Sequence, residues 1–392
     1  MKHNAIIAAV ALAWLLVAAP HRAAAQDAEL SRWATRAWEN CTKLKSTEEQ
    51  LYMRCAALTA TAEAGDAVRL RDRAAFMVQS VRSAMDSWQT FDVLGYTAGA
   101  YGIADDAQSF KSLRDSVSLI LTDVHIRCEY AYGLASSGRF DAAATAVSGL
   151  NEDLQQFPPK DIANTRVTLA KTLAALGRYE QARAEVAMLP ALADRVSTLG
   201  DAARSADDRG DREVAMQLMR QAHERFTQGL ADADQRQAVL EVWVTLACDA
   251  VELELPEMVA AIEDEAQAAI TAAAGGQTAG ALLPASQTVC VRIAMLAYAA
   301  GKTQDAEERE ALVQRLVDEA TDAWQLVRDS RTEATRVLAA AGYHLGRLGE
   351  LPRAETLYAL TQEPLTQVLY SVAVVDGAYP RPRKHPGTEP AQ

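Results

Sequence analysis

The sequence lacks the common motifs of catalytic and cofactor sites. It contains no His-Glu-x-x-His, Gly-x-Ser-x-Gly or Cys-x-x-Cys-His segment, which removes the usual signatures of zinc proteases, serine hydrolases and haem attachment. Aromatic residues make up only 6% of the chain, too few for a site built from stacked rings. We therefore predict a non-enzymatic protein with no catalytic residue, no cofactor and no metal.

Long apolar runs and strand patterns are also missing. Beyond residue 19 no segment approaches the ~18 consecutive apolar residues that indicate a membrane-spanning helix. Prolines cluster only at Pro158-Pro159 and near the end of the chain, and β-branched residues do not alternate at period two for long. The sequence predicts an all-α protein with no transmembrane span after its first segment.

Residues 1–25 have the pattern of a secretion signal. Lys2 and His3 precede an unbroken apolar run over residues 5–19, and Ala23-Ala24-Ala25 supplies the small residues of a cleavage site. We predict cleavage after Ala25 and a bacterial protein that is periplasmic or secreted. An uncleaved anchor is the alternative, although the run is shorter than the ~20 residues of a typical membrane span.

The charge balance restricts the partners. The formal net charge is −13, and an acidic chain repels nucleic acid and anionic lipid surfaces. We predict a protein or peptide partner and no nucleic acid. The oligomeric state stays open.

A helical hairpin of similar size recurs about eight times along the chain. Each copy turns at a residue that we call its pivot: Gly65, Gly102, Gly138, Gly177, Gly210, Leu255, Gly301 and Gly349. Seven residues before the pivots the chain is mostly small, at Leu58, Gly95, Ala131, Ala170, Ala203, Cys248, Ala294 and Gly342. Five residues after them, alanine holds all positions but the first: Leu70, Ala107, Ala143, Ala182, Ala215, Ala260, Ala306 and Ala354. Glycine favours the left-handed turn that ends a helix, and small residues let two helices approach closely.

Three copies resemble tetratricopeptide repeats. They are Leu134–Ala143, Leu173–Ala182 and Leu345–Ala354, each with a glycine pivot before the alanine. The pivot spacings, 33 to 48 residues, depart from the regular 34 of that family. The resemblance implies a tetratricopeptide-like α-solenoid, a right-handed superhelix of about eight antiparallel hairpins with degenerate repeats.

The predicted organisation has six parts. They are a signal peptide (1–25), an N-terminal helix (26–47), helical repeats (48–270), a small-residue loop or hinge (271–286), C-terminal repeats (287–375) and a disordered tail (376–392). Ser46-x-x-Glu49 and Thr47-x-x-Gln50 both have the pattern of a capping box at the start of the repeats.

Five cysteines in an exported chain suggest a disulfide bond. Cys41 and Cys55 flank the turn at residues 45–47 at similar distances, so a bridge between them is possible. Cys128, Cys248 and Cys290 fit small core positions. His125, Cys128 and Glu129 share one helix face, but a zinc site would need ligands from elsewhere.

A candidate binding strip lies six residues before the pivots, where the first helices of a superhelix face its concave side. The strip consists of Thr59, Tyr96, Tyr132, Lys171, Arg204, Asp249, Met295 and Tyr343, and His125, Asn164 and Arg336 extend it by one turn. Tyr and Arg are frequent anchors of interfaces, and Lys171 and Arg204 suit a carboxylate. The family resemblance implies that such a groove binds peptides or helices of partner proteins, and solvated helix residues are the plain alternative.

Two functions from different classes follow. The first is an exported scaffold that binds a protein or peptide through its concave face. The alternative is an exported carbohydrate-active hydrolase or lyase on an α/α toroid, with a carboxylate pair in a closed ring. An open curved rod would favour the scaffold, and a compact toroid would favour the enzyme.

Overall fold

The computed structural model describes residues 24–84, 87–273 and 284–379. In these ranges the chain forms helices and turns, and it contains no β-strand, as predicted. In chain order the first helices are α1 (Ala24–Cys41), α2 (Thr47–Glu63), α3 (Ala67–Ala84), α4 (Ser87–Ile103), α5 (Ala107–Asp115), α6 (Ile120–Ser136), α7 (Phe140–Ala146) and α8 (Leu150–Leu154). A 3-10 turn, Pro159–Asp161, leads to α9 (Ala163–Ala175), α10 (Tyr179–Ala187), α11 (Leu192–Asp208), α12 (Arg212–Ala231), α13 (Arg236–Leu240) and α14 (Trp243–Glu252). The last helices are α15 (Pro256–Ala273), α16 (Ala285–Lys302), α17 (Ala306–Val327), α18 (Arg331–Leu348), α19 (Leu351–Tyr358) and α20 (Pro364–Ala378).

One set of helices forms an inner layer. Each member packs against the member before it and the member after it, in the order α2, α4, α6, α9, α11, α14, α16, α18 and α20. The last of them, α20, packs against α2. The contacts of these inner helices therefore run in a closed circuit.

The remaining long helices form an outer layer. Most of them, α3 and α10 among them, pack against the inner helix that precedes them and the one that follows. The first helix, α1, packs in the same way between α20 and α2. Since no described helix follows α20, α1 supplies the outer helix that this last inner helix would otherwise lack.

Aromatic and charged contacts fix α1 against the end of the chain. The Trp33 ring lies 5.4 Å from the ring of Tyr358 and 5.9 Å from that of Tyr370, centroid to centroid. Arg36 forms an ion pair with Glu355 at 2.7 Å. The Asn40 amide donates to the Tyr358 hydroxyl at 2.8 Å. Trp33 has no accessible surface, so burial of this large ring fastens α1 to α19 and α20.

Five of the eight predicted pivots have the expected left-handed backbone: Gly65, Gly138, Gly177, Gly210 and Gly349. The other three predictions were wrong about which residue turns. Gly102 lies inside α4, where a Cβ would overlap the Tyr130 carbonyl of α6. The left-handed residue there is Asp105, and near Leu255 it is Glu254. Gly301 lies in the last turn of α16.

Helix boundaries differ from the predicted parts at both ends. The N-terminal helix ends at Cys41, and Ser46 caps α2 by accepting from the Glu49 N–H at 3.4 Å. The final helix continues through Ala378, so Asp376, Gly377 and Ala378 belong to a buried helix and not to a tail. A Cβ at Gly377 would overlap the Tyr343 carbonyl, so this glycine lets α20 approach α18 closely.

Several predicted parts lie outside the described residues. They are the signal peptide up to residue 23, most of the small-residue loop, and the segment from residue 380 onward. Among the described helices, none is both long enough and apolar enough to span a membrane.

The predicted bridge between Cys41 and Cys55 is not formed in the structure. Both thiols are free and buried, and the Cys41 thiol donates to the Ala37 carbonyl of its own helix at 3.2 Å. Burial raises the pKa of Cys41 to about 12 and that of Cys55 well above its usual range. A thiol in that state contributes little of the thiolate that disulfide exchange requires.

Candidate functional site

The structure separates the predicted binding residues into accessible and buried ones. Tyr96, Tyr132 and Lys171 are half-buried on α4, α6 and α9, and Asn164 is exposed at the start of α9. Met295, on α16, is also exposed. Arg336 is half-buried and forms an ion pair with Glu333 at 2.7 Å.

Arg204, Tyr343 and His125 are buried, which corrects their place in an open groove. Arg204 is 5% exposed and Tyr343 is 3% exposed. The His125 ring stacks on Phe91 with centroids 3.8 Å apart, and its Nδ1 lies 3.1 Å from the Thr165 hydroxyl. Arg204 and His125 contact neighbouring inner helices, and Tyr343 packs edge-on against His344 of its own helix.

Six of the nine inner helices carry a row of polar side chains that we call the inner seam. It consists of Asp92 and Tyr96 on α4, Glu129 and Tyr132 on α6, Thr168 and Lys171 on α9, Asp201 and Arg204 on α11, Asp249 and Glu252 on α14, and Arg347 on α18.

Glu129 links three helices of the inner seam. Its Oε1 accepts a hydrogen bond from the Thr168 hydroxyl at 2.7 Å, and its side chain lies against Gly99 of α4. Burial raises the pKa of Glu129 to about 7, the Thr168 bond and Lys171 lower it, and Asp92 raises it further. The carboxyl is therefore shared between its protonated and ionised forms near neutral pH.

Lys171, Asp201, Arg204 and Asp249 form a chain of ion pairs across three helices. The Lys171 ammonium lies 2.7 Å from Asp201, and Arg204 contacts both Asp201 and Asp249, the latter with Nε 2.7 Å from Oδ1. Burial raises the pKa of Asp249 to about 8, although Arg204 acts in the opposite direction. For Lys171, burial lowers the pKa, but Asp201 and Tyr132 outweigh it and the net shift is upward.

The position of Arg347 shows that the inner seam faces the interior of the circuit. Arg347, on α18, forms an ion pair with Glu252 on α14, although α16 lies between these helices in the circuit. Asp208 of α11 also helps to raise the pKa of Arg347, against the opposing effect of burial. These contacts join inner helices that are not neighbours in the circuit. Their side chains therefore lie on the face of the inner layer that points away from the outer layer.

Parts of the inner seam remain accessible to solvent. The Lys171 side chain keeps 22% of its accessible area and Asp201 keeps 17%, although burial acts strongly on Lys171. The accessible part runs from α4 to α11, where Tyr96, Glu129, Tyr132 and Lys171 are half-buried.

Sequence reasoning placed Asp249 in the strip and missed the polar row one turn earlier. That row is Glu129, Thr168 and Asp201, each nine residues before a pivot. That second row was visible in the repeat register. The sequence could not show the pairing across helices, in which Lys171 meets Asp201 of α11 and Arg204 meets Asp249 of α14.

The outer surface also has a cleft of about 790 Å³, between α3 and α5. Arg71, Tyr101, Asp106 and Leu113 line it, and Arg71 and Asp106 form an ion pair at 2.9 Å. It contains no residue of the predicted strip.

Metal ligands do not gather in the described part of the chain, where no group of three or more His, Cys, Asp and Glu is placed to hold a metal ion. On α6, Cys128 packs in the apolar core, the His125 ring contacts the Thr165 hydroxyl, and the Glu129 carboxylate accepts from Thr168. The three side chains therefore do not form a common metal site. No protein-family model, curated protein or solved structure matches this chain.

Proposed function

We propose that the protein is an exported, non-enzymatic scaffold that binds a protein or peptide partner along the accessible part of its inner seam. The observation that carries this proposal is the row of half-buried Tyr96, Glu129, Tyr132 and Lys171 on three neighbouring inner helices. Tyrosine side chains supply contact area at low cost in conformational entropy, and the charged groups fix the orientation of the bound partner.

Spacing supports an extended segment as the bound form. Neighbouring packed helices lie about 9 Å apart, and an extended chain advances about 3.3 Å per residue, so each helix meets roughly every third residue of the segment. Tyr96 and Tyr132 repeat at the same register on α4 and α6, which fits such a period. The tetratricopeptide-like repeats and the predicted secretion signal also support an exported peptide-binding protein.

The proposal is tested by affinity capture of the tagged mature protein from its native envelope fraction, followed by reconstitution with the purified partner. Lys171→Met and Glu129→Gln keep side-chain volume and remove charge. Lys111→Met and Glu180→Gln make the same changes on the exposed outer helices α5 and α10. We expect at least a tenfold loss of affinity for the inner pair of variants and no change for the outer pair. Equal affinity for all four variants would reject the inner seam as the binding surface.

A hydrolase or lyase is the second candidate, and the closed circuit of inner helices favours it. Glu129 has the raised pKa of a general acid, and Asp92 is near enough to contribute to that shift. Against it, Asp201, Asp249 and Glu252 are bound to cations, and Trp33 and Trp243 are buried in the core. The two hypotheses are distinguished by screening polysaccharides with the wild type, Glu129→Gln and Asp92→Asn. If the wild type turns over a polysaccharide and both variants abolish that turnover, the enzyme hypothesis replaces the scaffold hypothesis.

A further inference from the structure

An arginine lies without a polar partner where α1, α2 and α3 meet. Most arginines of the described helices form ion pairs with carboxylates, as Arg36, Arg71 and Arg114 do. Arg54, on α2, is half-buried and forms neither an ion pair nor a hydrogen bond with any described residue. Its Nε is buried without a partner, whereas its two terminal nitrogens reach solvent. This state is unusual, because charges that leave water are normally paired.

Two aromatic rings hold the Arg54 guanidinium. Its central carbon lies 4.7 Å from the centroid of the Phe76 ring on α3 and 5.8 Å from that of the Trp38 ring on α1. The two rings meet edge to face, with centroids 6.0 Å apart. Ring faces attract the positive charge, but they do not replace the oxygen acceptors that the N–H donors of a guanidinium require. The rings therefore position the guanidinium and leave its hydrogen-bonding capacity unused.

A second guanidinium adds positive charge at the same place. Arg73, on α3, lies over the Trp38 ring at 5.1 Å, and its polar contacts are with hydroxyl and carbonyl oxygens of α1 and α2. Burial raises the pKa of Cys41 to about 12, and Arg54 and Arg73 both oppose that shift. Both positive charges therefore act on one region of the structure.

The carboxylates near Arg73 do not neutralise this region. Burial and Arg69 lower the pKa of Arg73, and Asp66 and Glu39 oppose them. Asp66 is already paired with Arg69, and Glu39 is exposed to solvent. One exposed carboxylate therefore stands against two guanidinium groups, in a chain whose net charge is −13. A positive region on such a chain favours an anionic ligand.

The geometry favours a carboxylate that lies beside an apolar side chain. The terminal nitrogens of a guanidinium match the two oxygens of a carboxylate. Phe76 is 44% exposed, so its ring can pack on an apolar group next to that carboxylate.

A chain end presents these two groups together. In an extended chain, neighbouring side chains point to opposite sides, so an internal Asp or Glu and the residue beside it do not reach the same place. In the last residue of a chain the carboxylate and the side chain share one Cα, which keeps them within about 5 Å of each other. That separation matches the 4.7 Å between the Arg54 guanidinium and the Phe76 ring.

We propose that Trp38, Arg54 and Phe76 form a second binding site, which holds the apolar C-terminal residue of a protein partner. The carboxylate of that residue pairs with Arg54, and its side chain packs on Phe76. The site lies between the outer helices α1 and α3 and shares no residue with the inner seam. It therefore does not depend on the function proposed above.

The test uses residues 26–392 and three short peptides that carry a fluorescent label at the N-terminus. The first, Gly-Gly-Ala-Phe, ends in a free carboxylate, and the second is its C-terminal amide. The third, Gly-Asp-Phe-Gly amide, has its carboxylate inside the chain. We expect the first to bind about tenfold more tightly than the other two, by fluorescence anisotropy. Equal affinity for the first peptide and either of the others, or no binding of the first, overturns the inference.

Three variants locate the site. Arg54→Met keeps the apolar stem and removes the cation, so it should bind the free acid and the amide equally. Arg220→Met, at an exposed arginine of α12, is the control and should keep the preference for the free acid. Phe76→Leu leaves Arg54 in place and should bind the first peptide several-fold more weakly, which keeps the site testable if Arg54→Met does not fold. Wild-type affinity in Phe76→Leu, or an unchanged preference in Arg54→Met, would place the carboxylate elsewhere.

Discussion

Gly95 and His125 show how a single small residue sets the spacing of two inner helices. A Cβ at Gly95 would overlap Nε2 of His125, whose ring is held between Phe91 and Thr165. Burial lowers the pKa of His125 to about 3, so the ring is neutral and packs as a flat apolar group. Both residues were assigned from the sequence, Gly95 to packing and His125 to a groove, and only the first assignment was right.

Gly95→Ala should destabilise the fold by about 1–3 kcal/mol, because the added methyl group forces the imidazole out of its site. Urea denaturation of the variant measures this cost. His125→Ala removes the obstacle, so the double variant should lose clearly less than the sum of the two single variants. Additive losses would show that the methyl group meets some other part of the structure.

Two buried carboxyls make stability depend on pH. The pKa of Asp249 is raised to about 8 and that of Glu129 to about 7, both chiefly by burial. Over the interval from about pH 4 to pH 8 the folded state keeps protons that the unfolded chain releases. The free energy of unfolding therefore decreases as pH rises through this interval.

Asp249→Asn should weaken this pH dependence, since the amide is neutral at every pH and matches the shape of the protonated carboxyl. We expect a smaller difference between the free energies of unfolding at pH 5 and at pH 8.5 than in the wild type, by urea titration. Asp115→Asn, on the exposed end of α5, is the control and should leave the difference unchanged. An unaltered pH dependence in Asp249→Asn would show that Arg204 keeps this carboxyl ionised.

At the scale of helices, the repeat register was predictable wherever a glycine makes the turn. The alanines five residues after Gly138, Gly177, Gly210 and Gly349 are all buried. Those that follow the three misassigned pivots, Ala107, Ala260 and Ala306, are exposed. The reason is local: Asp105 and Glu254 take the left-handed backbone themselves, and no sequence rule favours them over a nearby glycine or leucine.

The α1 helix depends on one aromatic anchor. Trp33→Ala should cost about 3–5 kcal/mol, because it empties the space between Tyr358 and Tyr370. Hydrogen exchange should show the loss of protection in α1 and α20 first, with α9 to α12 unaffected. Trp324→Ala, a half-buried tryptophan on α17, is the matched control and should leave the protection of α1 unchanged.

At the scale of the whole molecule, the sequence predicted helices, hairpins and an inner face, but not the closure. Closure depends on contacts between residues more than 300 positions apart, such as Arg36 with Glu355 and Asn40 with Tyr358. One indication was present in α20, where Val368–Val375 carries no charged residue on any side, as expected of a helix that is buried all round. The inner seam was predicted in part, since Tyr96, Tyr132, Lys171 and Arg204 follow the register, whereas the ion pairs of Lys171 with Asp201 and of Arg204 with Asp249 join different helices.

Closure by α1 makes the shape of the molecule depend on a helix that precedes the first repeat. A closed chain without its predicted signal, residues 26–392, should have a radius of gyration of about 21 Å in small-angle scattering. Deletion of residues 26–44 leaves α2 with its Ser46 cap but exposes the faces of α20 and α2 that α1 covers, so the radius should increase. A peptide of residues 26–44 added in trans should restore the compact value, because α1 joins the rest of the chain through a single turn and its contacts are with other helices. The same peptide with Trp33→Ala should not. An unchanged radius after the deletion would mean that α18, α20 and α2 hold the circuit closed by themselves, and that α1 only covers their outer side.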